Sequence, residues 1–207
     1  MKNPRILALL LGASLFAGCD DLVDDDDDSA AFVPFGVTSP DFTSDDAITH
    51  SFDCDQALSE TFSCDGPNPE ITWEGVPDGT LSFALILDDV SDGDRPHWAI
   101  LNIPGDLDGL AGAISGESGV TGSIPQGSTE LSTGITDGYL GPCNDGLGHY
   151  RWRLWALPDT LDVARYQALE DDPQAAFTTL AEDADDARLD RTEACNVYDG
   201  TGTPVGR

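Results

Sequence analysis

Short apolar runs separated by Gly, Pro, Asn and Asp recur along the chain from Phe32 to Leu157. Apolar or alternating runs of this length between turn residues predict the strands of an all-β sandwich or barrel. The predicted strands are residues 32–38, 48–52, 70–73, 82–88, 97–103 and 150–157. The pattern changes over residues 161–190, where Ala and Leu are spaced among acidic residues, and this spacing predicts one or two short helices broken at Pro173. The predicted fold class is therefore mainly β with short helices near the C-terminus.

The N-terminus has the pattern of an export signal. Lys2 and Arg5 precede an apolar run from Ile6 to Phe16, which ends at Ala17-Gly18-Cys19. A run of 11 residues is too short for a permanent membrane helix, which needs about 20. Residues 15–19 (LFAGC) also resemble the bacterial lipobox, so we expect residues 1–18 to be a lipoprotein-type signal peptide and Cys19 to be lipidated. The expected location is the bacterial cell envelope, facing the periplasm or the outer surface, with the lipid as the only membrane attachment.

Residues 19–31 contain seven aspartates and no base. A block of like charges repels itself and buries nothing, so it stays extended and solvated. We interpret it as a tether between the lipid anchor and a globular domain at residues 32–207.

The charge balance is strongly acidic, with 39 Asp and Glu against 9 Lys and Arg, a formal net charge of −30. Loss of Lys2 and Arg5 with the signal peptide changes −30 to −32 and leaves no lysine. Nucleic acids and anionic lipid surfaces bind basic patches, so neither is an expected partner. Any anion site must be built locally from a few donors.

With Cys19 lipidated, four cysteines remain: Cys54, Cys64, Cys143 and Cys195. Four cysteines in an exported protein predict two disulfides, in one of three pairings. No pair has CxxC spacing and the chain has three histidines, so no metal site and no cofactor is predicted.

The segment from Leu81 to Leu110 predicts a strand, an acidic loop and a second strand that begins at His97 and Trp98. Asp88 and Asp89 have two interpretations, as functional carboxylates or as solvated turn residues. Trp98, like Trp152 and Trp155, is interpreted first as a packing residue. Arg151 and Arg153 share one face of a predicted strand, where they either bind an anion or, as we favour, pair with acids on neighbouring strands.

Four segments in order carry a family resemblance. Residues 64–73 (CDGPNPEITW) resemble C-x-G-x-N-x-S-P-x-L-x-W, one residue shorter and without the Ser. Residues 82–89 (SFALILDD) resemble the strand that runs into a D-P-D-A-P loop, and residues 97–104 (HWAILNIP) resemble H-W-x-x-x-N-I-P. Residues 138–143 (GYLGPC) and 149–157 (HYRWRLWAL) resemble G-Y-x-G-P-C-P-P followed by an H-R-Y strand. Together they resemble the phosphatidylethanolamine-binding protein family, in the bacterial branch often labelled Raf-kinase-inhibitor-like.

The resemblance implies a sandwich of two antiparallel sheets with short C-terminal helices, and a pocket for anions and phosphoryl groups. It implies a ligand-binding set in which Trp98 and Tyr139 form walls, and the other members are Asp89, His97, Gly141, Pro142 and His149. Such a histidine donates to a phosphate oxygen, and Asp89 orients the imidazole or receives a ligand amine. The resemblance also implies that Cys64 pairs with Cys143, which leaves Cys54 with Cys195.

The chain departs from the family at two places. Val90-Ser91-Asp92 stands where the family has Pro-Asp-Ala, so the second loop carboxylate is replaced by Ser91 or displaced to Asp92. In the second strand, an alignment on Tyr150 puts Gly148 at the family's ligand histidine, whereas placing His149 there needs a slip of one residue. A slip of one residue turns every following side chain to the opposite face of the sheet.

The predicted function is non-enzymatic binding of a small anionic or phosphorylated ligand. The alternative is inhibition of a protein target, a serine protease or a kinase, by the same fold. A minor alternative is a hydrolase that uses Ser118, His97 and Asp89, although no G-x-S-x-G turn surrounds the serine.

Overall fold

A computed structural model of the chain describes residues 33–40, 66–116, 122–134, 138–143 and 147–199, and the backbone of 56–57. All of them belong to one compact unit, Phe32–Arg207. The predicted signal peptide, Cys19, the acidic tether and the predicted strand 48–52 lie outside the described residues. No helix in the described part of the chain is long and apolar enough to cross a membrane.

The described residues form nine strands in two sheets. The larger sheet has six strands in the order β2-β9-β8-β4-β5-β7, with bounds Gln56–Ala57, Asp190–Asp199, Leu147–Leu157, Ser82–Asp89, Arg95–Pro104 and Thr129–Leu131. The smaller sheet has the order β1-β3-β6, with bounds Gly36–Thr38, Ile71–Glu74 and Gly109–Leu110. All pairs are antiparallel except β2 with β9, which is a parallel pair of two residues. The predicted mainly β sandwich is confirmed.

Strand β4 lies at the centre of the larger sheet and is buried along its whole length. One face, with Phe83, Leu85 and Leu87, packs in a core that includes Trp73 and Val37 of the smaller sheet. The opposite face packs against the helices in a second core. Its members include Ala84, Ile86, Trp155, Tyr166, Phe177 and Leu180. A strand covered on both faces has no polar face, which explains the unbroken apolar run 83–87.

The predicted helical region contains two helices, α1 (Val163–Gln167) and α2 (Pro173–Ala187). Helix α2 begins at Pro173, as the sequence predicts, and the Asp172 side chain accepts a hydrogen bond from the Ala175 N–H. Proline suits this first position because its missing N–H would have no helical partner there.

The hydrophobic pattern did not predict strand β9. Its first residue, Asp190, is the last residue of the predicted helical region. Its buried face alternates through Thr192, Ala194, Asn196 and Tyr198. Small and polar residues at these positions hide the apolar alternation that usually marks a strand, and the pairing with β8 over ten residues supplies the stability that local preference lacks.

Asp88 and Asp89 are not solvated turn residues. Both belong to β4 and each is 1% exposed, because the strand continues two residues beyond the apolar run and its neighbours cover both faces. Trp98, Trp152 and Trp155 are fully buried, as their interpretation as packing residues requires.

Cys143 and Cys195 are each disulfide-bonded. Cys54 and Cys64 lie outside the described residues. The pairing of Cys64 with Cys143 and of Cys54 with Cys195 therefore stays a prediction.

Candidate functional site

A β-bulge places His97. Leu87 pairs with Trp98 and Asp88 pairs with Pro96, so His97 is an extra residue on β5 with no partner on β4. Such a bulge frees a side chain from the strict alternation of the strand and redirects it. The His97 ring packs edge-on against Tyr150 of β8, with 5.0 Å between ring centroids.

The ring of His97 is held by the segment that follows Tyr139. Nδ1 lies 2.9 Å from the Leu140 carbonyl oxygen, and the Leu140 N–H donates to the His97 carbonyl oxygen at 2.9 Å. A carbonyl oxygen only accepts, so Nδ1 carries a hydrogen. Leu140, rather than Asp89, therefore makes the Nδ1 hydrogen bond that orients the ring. A second proton at Nε2 turns the neutral ring into a cationic donor.

Burial of His97, which is 2% exposed, lowers the pKa of its imidazole. The Leu140 and Gly141 carbonyls and the Asp89 carboxylate oppose this effect, whereas Arg95 adds to it. His97 is consequently neutral at pH 7, and an anion beside it would favour its charged form.

Asp89 stands at the end of β4 on the same face as Tyr150, with which it pairs across the β4–β8 ladder. Its Oδ1 accepts the Ser91 N–H at 2.9 Å and also the Ser91 hydroxyl. Ser91 is thus turned inward onto Asp89 from the first turn of a 3-10 helix at Val90–Asp92. The departure from the family loop therefore replaces a second carboxylate with a hydroxyl that caps the first.

Tyr150 is fully buried between Asp89 and His97. Burial first, and then the charge of Asp89, raise the pKa of its phenol, while the Cys143 backbone acts in the opposite direction. The Asp89 side chain and the Cys143 backbone are the polar groups that act on the Tyr150 hydroxyl, which therefore lies beside a carboxylate.

Gly141 and Pro142 are buried directly after Leu140. The Leu140 contacts bring this segment beside His97. The structure therefore brings together Asp89, His97, Gly141 and Pro142 of the predicted site.

Trp98 and Tyr139 lie in the core between the sheets, in the same hydrophobic cluster as Tyr150. Their rings meet edge to face with centroids 5.7 Å apart, and the Trp98 Nε1–H donates to Glu130 Oε1 at 2.7 Å. Burial raises the pKa of Tyr139. Both residues support the strand and segment that carry His97 and Leu140.

His149 precedes Tyr150 on β8, so its side chain lies on the opposite face of the sheet from Tyr150 and Asp89. Gly148 shares the face of Tyr150. The His149 N–H donates to Ser91 Oγ at 3.2 Å. The backbone of His149 therefore contacts the loop of the site, in the register of the alignment without a slip.

Arg151 and Arg153 both bind Asp88. Asp88 accepts Arg151 Nε at 2.9 Å and Arg151 Nη2 at 2.7 Å, and Arg153 Nη2 also contacts its Oδ2. Arg151 reaches Asp94 as well, at 3.0 Å. The favoured pairing with acids on neighbouring strands is what the structure shows.

Two cavities have linings that the structure describes, and neither lining includes Asp89, His97 or Tyr150. One, of about 430 Å³, borders β7 and α1, and the other, of about 250 Å³, borders the Asp88 cluster. No group of three potential metal ligands occurs within the described ranges. Asp89, His97 and Tyr150 form a polar cluster in which each residue is at most 2% exposed.

Sequence reasoning missed two residues at this site: Tyr150, which belongs to the cluster, and Arg95, which lies at its edge. Tyr150 was detectable as the tyrosine of the H-R-Y strand. Arg95 pairs with Asp89 across the β4–β5 ladder, and its charge acts on His97. No motif marked it, because only the bulge brings its strand end beside the site.

The chain matches known proteins over most of the described domain. The family model for phosphatidylethanolamine-binding protein matches residues 38–198. A UPF0098 protein of Methanothermobacter thermautotrophicus is 36% identical over 132 residues, which is 59% of this chain and 83% of that protein. The UPF0098 protein YbcL of Escherichia coli is 34% identical over 138 residues, 62% of this chain and 72% of YbcL.

Solved structures agree. The crystal structure of Escherichia coli YbcL, described as a new member of the mammalian PEBP family, covers 81% of this chain and 99% of its own at 26% identity, with a TM-score of 0.58. A phosphatidylethanolamine-binding protein homolog from Chlamydia trachomatis, 22% identical, covers 80% of this chain and 97% of its own with a TM-score of 0.56 and shares the fold. The family model spans well over half of the chain, and this chain therefore belongs to the phosphatidylethanolamine-binding protein family.

Proposed function

We propose that this protein is an exported, lipid-anchored binding protein that takes a small anionic or phosphorylated ligand at the cluster of Asp89, His97 and Tyr150. The observation that carries the proposal is the bulge that turns His97 toward Tyr150, beside Asp89. The bulge leaves His97 without a pairing partner on β4, and such irregularities are common at functional sites.

The charges suit a zwitterionic headgroup. His97 gains a proton near an anion and donates to it, and Arg95 lies at the same strand end. Asp89 accepts from Ser91 through Oδ1 and also interacts with the Tyr150 phenol, and a carboxylate oxygen can accept more than one hydrogen bond. The phosphoryl group therefore belongs near His97 and Arg95, and an ammonium group belongs near Asp89. The name of the family, which refers to phosphatidylethanolamine, supports this assignment.

Access requires movement, because Asp89 and His97 are almost fully covered. The residues from Ser91 to Arg95 are exposed, and Gly93 has a left-handed φ of 66° with no heavy atom within 4 Å of a Cβ placed there. This loop follows Asp89 directly, and Gly93 stands clear of neighbouring atoms, so we expect the loop to move on ligand entry.

Titration of the full domain with phosphorylethanolamine, followed by tryptophan fluorescence and calorimetry, tests the site. We expect His97→Gln to weaken binding about tenfold, the scale of one charge-assisted hydrogen bond. The matched control His149→Gln removes a histidine on the opposite face and should bind like the wild type. Equal binding by wild type and His97→Gln would remove His97 from the site. No binding by the wild type, together with inhibition of a serine protease, would favour the protein-inhibitor alternative.

Export and anchoring have their own test. Expression of the full chain in a Gram-negative host should yield a membrane-associated protein whose N-terminal peptide begins at a diacylated Cys19. Cys19→Ser should abolish the lipid mass and release the protein from the membrane fraction. An unmodified N-terminus in the wild type would rule out the lipoprotein assignment and leave the ligand site unaffected.

A further inference from the structure

One of the two cavities lies beside Glu130, the residue that accepts the Trp98 indole N–H. Its volume is about 430 Å³, and strand β7, helix α1 and the start of helix α2 supply its walls. Cavities of about 300 to 1,000 Å³ are typical of sites for small molecules. β7 is an edge strand of the six-stranded sheet, so the cavity opens beside backbone that no further strand covers among the described residues.

Glu130 supplies the fixed charge of this cavity. Its Oε1 accepts the Trp98 Nε1–H at 2.7 Å, and its Oε2 accepts the Gly116 N–H at 3.1 Å. Both donors are neutral, and none of the ion pairs among the described residues includes Glu130. The carboxylate is half-buried, and each oxygen retains acceptor capacity. A negative charge held rigidly at a cavity wall without a counter-ion favours a cationic ligand group.

The remaining lining fits the rest of such a ligand. Ser128 also lines the cavity, and its Oγ has no hydrogen-bond partner in the described part of the chain. Leu131 and Ala176 supply apolar surface, and exposed Glu170 adds a second negative charge. No Lys, Arg or His is among the described residues that line the cavity, so the lining favours a cation over the anions that suit the His97 cluster.

We propose that this cavity is a second binding site, separate from the His97 cluster, that takes a small organic ammonium with an apolar body. The ammonium contacts Glu130, and the apolar body lies against Leu131 and Ala176. Trp98 reports on occupancy because its indole N–H is bonded to Glu130.

The test uses the full domain and three probes that share a phenyl ring: 2-phenylethylammonium, 2-phenylethanol and phenylacetate. The readouts are calorimetry and the assigned indole N–H resonance of Trp98 in proton–nitrogen correlation spectra. We expect saturable millimolar or tighter binding of the ammonium with movement of the Trp98 resonance. We expect about tenfold weaker binding of the alcohol and no binding of phenylacetate. Binding of phenylacetate as tight as that of the ammonium, or no saturable shift with the ammonium, would overturn the proposal.

Variants locate the charge. Glu130→Gln should weaken ammonium binding about tenfold, and unchanged binding by the folded variant would refute the site. Because Glu130 also binds Trp98, Glu170→Gln is compared with Asp171→Asn, an exposed neighbour outside the lining. Glu170→Gln should weaken binding about two- to threefold and Asp171→Asn should not. Equal effects of these two variants would show that only the net charge of the protein matters.

Discussion

His97 is the residue whose charge depends most directly on its surroundings. Its ring is nearly inaccessible to water, and its Nδ1 is bonded to the Leu140 carbonyl oxygen. Burial holds the neutral form, whereas the nearby Asp89 carboxylate favours the charged form. The ring is therefore balanced so that an arriving anion changes its protonation state.

The lowered pKa of His97 predicts how stability depends on pH. The unfolded chain takes up a proton at His97 near pH 6.5, which the folded chain resists because the pKa of the buried ring is lower. The contribution of His97 to the free energy of unfolding is therefore full above about pH 6.5 and is lost as the pH falls below it. Urea unfolding from pH 8 to pH 5 should show the wild type losing stability relative to His97→Gln. A difference between the two proteins that stays constant with pH would contradict this.

Asp88 holds two guanidinium groups on the helix-facing side of the larger sheet. Asp88→Asn leaves Arg151 and Arg153 without their shared carboxylate in a largely buried setting. Loss of one partner of a buried ion pair costs about 3 to 5 kcal/mol, so we expect a fall of about 3 kcal/mol in the free energy of unfolding by urea.

The control for Asp88 is Asp94→Asn. The Asp94 carboxylate also contacts Arg151 but is 53% exposed, and asparagine tolerates its positive φ of 58°. Exposed pairs contribute about 0 to 1 kcal/mol. Equal costs for the two variants would show that the Asp88 cluster behaves as a surface ion pair.

At the scale of the element, β5 carries a second bulge at Asn102. Phe83 pairs with Ile103 and Ala84 pairs with Leu101, so Asn102 is the extra residue, with a φ of 57°. Its side chain donates to the Leu161 carbonyl oxygen at 3.0 Å and accepts the Leu161 N–H at 2.7 Å. This bulge ties the strand that carries His97 to the segment before α1.

The Asn102 bulge predicts an unusual order of stability. Asn102→Gly loses the two hydrogen bonds but adopts the left-handed φ freely, whereas Asn102→Ala loses the bonds and pays about 1 kcal/mol or more for the conformation. We therefore expect the glycine variant to be more stable than the alanine variant in urea unfolding, although glycine usually weakens a strand. The reverse order would show that the low preference of glycine for strands outweighs the cost of the left-handed conformation here.

At the scale of the whole molecule, the net charge of −30 opposes the compact state. The ion pairs are few and local, so screening by salt should relieve more repulsion than it costs in attraction. We expect the thermal unfolding midpoint at pH 7 to rise by a few degrees between about 0.01 M and 0.15 M NaCl. The rise should shrink toward pH 4.1, the isoelectric point. A midpoint that falls with salt would mean that the ion pairs dominate.

The two proposed sites differ in the charge of the residues that line them. The His97 cluster has Arg95 at its strand end and takes a phosphoryl group, whereas the cavity beside β7 has only negative lining charges and takes an ammonium. Trp98 lies between them, next to His97 in the chain and bonded to Glu130. Simultaneous titration with phosphorylethanolamine and 2-phenylethylammonium would measure any coupling between the sites.

The sandwich, the break at Pro173 and the central strand could be predicted from the sequence alone, because apolar runs, turn residues and a proline act locally. The resemblance to the family also implied that Asp89, His97 and the 138–143 segment are neighbours. The tertiary structure was needed to show that a bulge turns His97 toward Tyr150 and that Ser91 caps Asp89. It alone placed Arg95 at the site, Trp98 in the core and the weakly patterned β9 beside β8. These features depend on strand register and on contacts between residues distant in the chain, which leave no periodic signal in the sequence.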